Sequence, residues 1–128
     1  MVLIDTSVWI DFFQKPDAKD NERLEALIKG VNRAAVCGIV LQEVLQGIRD
    51  DNVHQKVKSR LVLMPFFNAD KEVWLEAAAV YRLLRKKGIS IPPVDVSVAA
   101  IALRYGLPLY SHDRHFKSIA AHTPLVLF

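Results

Sequence analysis

Short apolar runs alternate with longer amphipathic stretches from one end of this chain to the other, and few architectures accept that alternation. Val2-Leu3-Ile4 reads as a buried strand, with Thr6 or Ser7 placed to cap the helix that follows. Leu24, Leu27, Ile28 and Val31 recur at helical spacing behind a start signal at Asp20-Asn21. Ala34 to Cys37 reads as a second strand, then Leu41, Val44, Leu45 and Ile48 as a helical stripe. Val53, Val57 and Leu61 form the next stripe behind a cap at Asp50-Asp51. Phe66-Phe67 reads as a very short third strand, and a long helix from Lys71 to Lys87 stops at Gly88. Pro92-Pro93 opens an apolar helix from Val94 to Tyr105, closed by Gly106. Leu109-Tyr110 and Leu125 to Phe128 read as two more strands, with a short helix from Arg114 between them. The pattern predicts a three-layer α/β fold around a short, mainly parallel sheet of four or five strands. In such folds ligands sit outside the carboxyl ends of strands, near a topological switch point.

Composition narrows the function classes. A chain of 128 residues and 14.4 kDa fits one domain spanning 1–128, and 52% hydrophobic with 24% charged residues excludes disorder. The single cysteine, Cys37, excludes an intrachain disulfide and a multi-cysteine metal site. The apolar run from Val96 to Leu103 is far short of the roughly 20 residues a membrane span needs. Asp5 and Asp11 inside the N-terminal apolar stretch argue against a signal peptide, so a cytoplasmic protein without a membrane role is expected.

Three acids stand where apolar sequence surrounds them. Asp5 ends Val-Leu-Ile, Asp113 follows Leu-Tyr-Ser-His at the end of a predicted strand, and Asp95 lies in the first turn of the apolar helix. Singly, each has an ordinary reading as a helix cap or turn former. Together, Asp5 and Asp113 fall on the same edge of a parallel sheet, and a helix N-terminus can bring Asp95 to it. Three converging carboxylates repel one another unless a divalent cation neutralises them, and an oxygen-only set, with no His or Cys at metal spacing, points to Mg²⁺ or Mn²⁺ rather than Zn²⁺. Glu43 is a fourth candidate, although the wheel places it opposite the stripe of Leu41, Val44, Leu45 and Ile48, on what reads as a solvated face. His112 and His115 flank Asp113 and read as loop residues near the site, either able to serve as acid, base or orienter. His54 and His122 receive no role.

Net charge is only +3 and the sequence pI about 9.1, which alone is weak support for a nucleic-acid partner. If Asp5, Glu43, Asp95 and Asp113 share one site, the 17 Lys and Arg face ten other acids, an excess of seven positive charges elsewhere. An acidic pocket on a basic body suits a polyanion, and Arg82, Arg85, Lys86 and Lys87 could hold its phosphates.

In order along the chain, Val-Leu-Ile-Asp5-Thr6-Ser7-Val-Trp-Ile, Gln42-Glu43-Val-Leu-Gln-Gly47, Arg82-Leu-Leu-Arg85-Lys-Lys-Gly88, Asp95-Val-Ser-Val-Ala-Ala-Ile-Ala and Ser111-His-Asp113-Arg-His115-Phe116 resemble the PIN-domain family, and within it the VapC-type ribonuclease toxins. The resemblance covers essentially the whole chain. It implies a PIN-like α/β/α sandwich and a metal-dependent endoribonuclease whose acidic site matches Asp5, Glu43, Asp95 and Asp113. Thr6 and Ser111 match positions that orient carboxylates or water. It also implies a structured RNA substrate of the tRNA or ribosomal RNA class, a cognate antitoxin that inhibits by inserting a tail into the acidic groove, and a homodimer. Two departures stand out: Cys37-Gly38 where many members place Ser or Thr, and Arg-His after Asp113 where some carry a second acid. Two other functions compete: a non-catalytic PIN-like module that only binds RNA or protein, and an aspartate-based phosphatase. The second needs an acid where Ser7 stands.

Overall fold

The computed structural model describes residues 1–31 and 33–128, with four strands and seven helices among them. Strand β1 (Val2–Ile4) leads into α1 (Thr6–Gln14) and α2 (Asn21–Lys29), and β2 (Ala34–Cys37) into α3 (Gly38–Gln46) and α4 (Asp51–Leu61). Strand β3 (Phe66–Phe67) precedes α5 (Lys71–Lys86) and α6 (Pro93–Tyr105), and β4 (Leu109–Tyr110) precedes α7 (His115–Ala120). Every strand pair is parallel, in the order β3-β2-β1-β4, and Leu3 at the centre stands opposite both Ala35 and Leu109.

This order places the functional edge. The chain steps outward from β1 through β2 to β3, then returns to the far side of β1 for β4. Right-handed crossovers put α1 to α4 on one face of the sheet and α5 with α6 on the other. Packing follows that division, α1 against α2 and α3 on one side, α5 against α6 on the other. Between β1 and β4 the direction reverses, so the loops at their carboxyl ends part there and leave a cleft.

The core explains why such short strands persist. Leu3, Ile4, Ala35 and Leu109 are fully enclosed, as expected of a parallel sheet covered on both faces. Helix α6 is buried along Val96, Val98, Ala99, Ala100, Ile101 and Ala102, which accounts for its lack of an amphipathic pattern. Against it α5 brings Val73, Ala77, Val80 and Leu84, one buried stripe at helical spacing. Gly106 closes α6 in the left-handed conformation at φ 63°, and Gly88 follows α5 at φ 75°.

Some local expectations are corrected. Leu125 to Phe128 forms no fifth strand, only a single parallel bridge between Leu127 and Leu109. Its partner β4 is two residues long, and of this segment only Leu125 is buried, so pairing has nothing to extend along. The cap of α1 is Asp5, whose carboxylate accepts from the Ser7 N–H at 3.4 Å, rather than Thr6 or Ser7. Val31 is 88% exposed and takes no part in the α2 stripe. No helix among the described residues is long and apolar enough to cross a membrane.

Candidate active site

Asp5 is held at the end of the central strand. Its N–H donates to the Tyr110 carbonyl at 2.9 Å, locking the ends of β1 and β4 together. Only 6% of Asp5 is exposed, yet its carboxylate has polar company. Oδ2 accepts from the Ser7 hydroxyl at 2.7 Å and from the Ser111 hydroxyl at 2.8 Å, so the buried carboxylate has hydrogen-bond partners. Those serines are pinned in turn. The His112 N–H donates to Ser7 Oγ at 3.0 Å, and the Asp113 N–H to Ser111 Oγ at 2.9 Å. The Asp5-Ser7-Ser111 knot thus fixes the loop that carries Asp113.

Asp95 and Asp113 meet across His115. The Nδ1 of His115 lies 2.8 Å from Asp95 Oδ2 and 3.2 Å from Asp113 Oδ1, while its backbone N–H donates to Asp113 Oδ1 at 2.9 Å. One donor atom from each of the three falls within 4.8 Å of the others. Burial pushes the Asp95 carboxyl pKa above the usual range; the hydrogen bond to His115 opposes this, and the charges of Asp113 and Asp5 reinforce it. Asp95 is therefore an acid whose surroundings penalise its charge, with two more acids close enough to feel.

Glu43 approaches from the other side. Its Oε1 accepts from the Thr6 hydroxyl at 3.0 Å, tying α3 to the start of α1. It is half-buried, which the solvated-face reading of the wheel misplaces. The fully enclosed residues of α3 are Val40 and Val44, so the buried stripe lies to one side of the line through Leu41, Leu45 and Ile48. Glu43 then stands about 80° from the stripe's centre, on its flank. Asp5 and Glu43 both raise the pKa of the buried Cys37 thiol through their charge, after burial itself.

The structure thus gathers Asp95, Asp113 and His115 tightly and places Asp5 beside them, with Glu43 facing the same end of the sheet. Two participants take roles the sequence does not assign: Ser7 reads there only as a possible helix cap, and His115 as a loop residue near the site, whereas it opens α7. Ser7 braces Asp5, and the only signal was its position two residues beyond that acid. His115 bridges two acids, foreshadowed only by its two-residue spacing from Asp113. His112 turns away, its Nδ1 2.7 Å from Asp11 Oδ2, a contact that lowers the Asp11 pKa. Beside Asp113 a pocket of about 230 Å³ is lined by Ser111, His112, Arg114 and Lys117, which brings positive charge to the acidic edge.

The residues present fit a divalent cation. Two carboxylates and an imidazole nitrogen converge within ligand spacing, and the charge penalty on Asp95 is one a cation relieves. Cysteine takes no part in the cluster, so a soft thiolate site is not what the fold builds here.

The family model for the PIN domain matches residues 2–122. Ribonuclease VapC11 of Mycobacterium tuberculosis is 32% identical over 128 residues, covering 98% of this chain and 96% of the relative. Among solved structures, VapBC2 from Rickettsia felis, bound to a DNA fragment from its promoter, superposes with a TM-score of 0.82 at 21% identity, covering 100% of this chain and 98% of that one. VapBC-5 from Mycobacterium tuberculosis, a member of the VapBC family of toxin–antitoxin systems, superposes with a TM-score of 0.70 at 20% identity, covering 99% and 96%. At those identities the structural likeness speaks for the fold.

Proposed function

Because this chain belongs to the PIN-domain family, in its VapC ribonuclease branch, we propose that it is the toxin of a toxin–antitoxin pair and hydrolyses RNA phosphodiester bonds with Mg²⁺ or Mn²⁺ at Asp5, Glu43, Asp95 and Asp113. The observation that carries the reading is the convergence of Asp95, Asp113 and the braced Asp5 outside the carboxyl ends of β1 and β4.

In this mechanism Asp95 and Asp113 hold the ion and Asp5 completes its surroundings. When bound, the ion supplies a water acidified enough to attack near neutral pH and neutralises charge on the phosphate. The chain does the rest. Ser7 and Ser111 fix Asp5 by donating to Oδ2, which leaves its other oxygen for the ion. Thr6 donates to Glu43 Oε1 and so orients this carboxylate, whose other oxygen would complete the ion's surroundings directly or through water. Arg114 and Lys117, lining the pocket beside Asp113, hold flanking phosphates and position the strand without reading its sequence.

The whole chain works as a single cytoplasmic nuclease domain on RNA of the tRNA or ribosomal class. A cognate antitoxin closes the acidic groove with a basic tail, which the converging carboxylates of Asp95, Asp113 and Asp5 attract. A homodimer forms through the apolar surface of α5, where Trp74 is 50% and Leu75 58% exposed. The test is cleavage of purified RNA by the partner-free chain with Mn²⁺ or Mg²⁺, then with EDTA, beside an Asp5→Asn preparation. Cleavage should require both the ion and Asp5. A well-folded Asp5→Asn protein that cleaves normally would overturn the assignment. Absence of cleavage together with absence of metal-linked stabilisation would favour the non-catalytic binding module.

A further inference from the structure

The imidazole of His115 lies in the middle of the acidic cluster, and a hydrogen bond to one carboxylate accounts for only part of its placement. Its Nδ1 is 2.8 Å from an Asp95 oxygen and 3.2 Å from an Asp113 oxygen, so it is shared between the two. Neighbouring donor atoms around an octahedral ion at about 2.1 Å stand about 3.0 Å apart. The two spacings from Nδ1 are thus already those of neighbouring ligands in one coordination sphere, and all three donor atoms lie within 4.8 Å of one another. The backbone holds the arrangement: the His115 N–H donates to Asp113 Oδ1 at 2.9 Å, and Asp113 N–H is tied to Ser111. Position 115 is the first residue of α7, anchored by the buried Phe116 and Ile119, so the ring stays near the cluster.

We infer that His115 is itself a metal ligand, donating Nδ1 beside Asp95 and Asp113, and that this nitrogen makes the centre select Mn²⁺ over Mg²⁺. The inference rests on the metal-dependent reading above and assigns a residue and a preference that reading leaves open. Mg²⁺ favours an all-oxygen shell and keeps its waters, whereas Mn²⁺ accepts imidazole and binds mixed nitrogen–oxygen sites more tightly. An all-carboxylate version of this cluster would discriminate weakly. One imidazole among the donors tilts the balance.

The test uses Mn²⁺ as spectroscopic probe and ligand. Pulsed electron paramagnetic resonance of the Mn²⁺-loaded chain carrying ¹⁵N-labelled histidine should show ¹⁵N hyperfine coupling. His112→Ala should retain that coupling and His115→Ala should lose it. Calorimetry without RNA should give a Mn²⁺-to-Mg²⁺ affinity ratio that falls about tenfold or more in His115→Ala. His115→Asp, which restores an oxygen donor, should raise Mg²⁺ affinity relative to Mn²⁺. Tight Mn²⁺ binding without ¹⁵N coupling in the unmodified chain would overturn this assignment while the metal centre stands. Coupling that survives in His115→Ala would equally overturn it. Failure of either ion to bind, with Asp5→Asn no different, would overturn the metal-dependent reading together with this one.

Discussion

Asp95 is the residue where the cost of building this site is most visible. Burial and the charges of Asp113 and Asp5 raise its pKa, so the folded protein holds a proton there more tightly than the unfolded chain does. The linkage is unfavourable to the ionised native state. The penalty is absent below the ordinary carboxylate range and grows as pH rises through it, then stays in full above the raised native value. Asp95→Asn keeps an oxygen to accept from His115 and removes the charge. In EDTA at neutral pH it should therefore be more stable than the parent, by up to about 1 kcal/mol, while cleaving nothing. Urea denaturation at pH 7 and pH 3 checks the sign, since the gain should vanish at the lower pH. Asp5, Asp95 and Asp113 were legible as candidates because each interrupts apolar sequence with a charge that the core would otherwise reject. Glu43 was less so, because the wheel drawn through Leu41 and Leu45 missed Val40, the residue that turns the buried face toward it. His115 was legible as a neighbour of Asp113, but its contact with Asp95 was not, since Asp95 lies twenty residues upstream and meets it only through tertiary packing.

At the scale of elements, helix stops proved more readable than strand extents. Gly88 and Gly106 were placed because a glycine after a helical run supplies the left-handed residue that ends it, and both adopt positive φ. Gly106 links α6, which carries Asp95, to β4, which leads to Ser111 and Asp113. Its added Cβ would meet nothing within 4 Å, so the cost of Gly106→Ala is conformational alone. That substitution should destabilise the chain by about 1 kcal/mol, measured as a lower denaturation midpoint with unchanged slope. The mispredicted strand at Leu125 to Phe128 teaches the converse. Its apolar composition matches β1, yet only Leu125 is enclosed and the segment meets β4 in one bridge. Composition marks what can be buried, while pairing decides what becomes sheet.

For the whole molecule, the acidic edge and the basic remainder act as one device. If Asp5, Glu43, Asp95 and Asp113 form the proposed site, seven excess positive charges are left for the rest of the chain. Binding of a catalytically inert RNA by Asp95→Asn should weaken steeply with added salt, as counterion release requires. Mn²⁺ at a hundredfold excess over its dissociation constant should stabilise the parent by about 2.7 kcal/mol against EDTA and leave Asp95→Asn nearly unmoved, which thermal melting will read. The sheet order also sets a sequence of events in time. Strand β1 is made first and sits at the centre, yet one of its two neighbours is Leu109-Tyr110, and Asp5 is braced by Ser111. During synthesis, at roughly 5 to 20 residues per second, a nascent chain that has reached residue 105 carries Asp5, Glu43 and Asp95 but no finished centre. The acidic centre is thus completed only after β4 and the loop behind it have been made. An inhibitor already present meets the enzyme at the moment it becomes one.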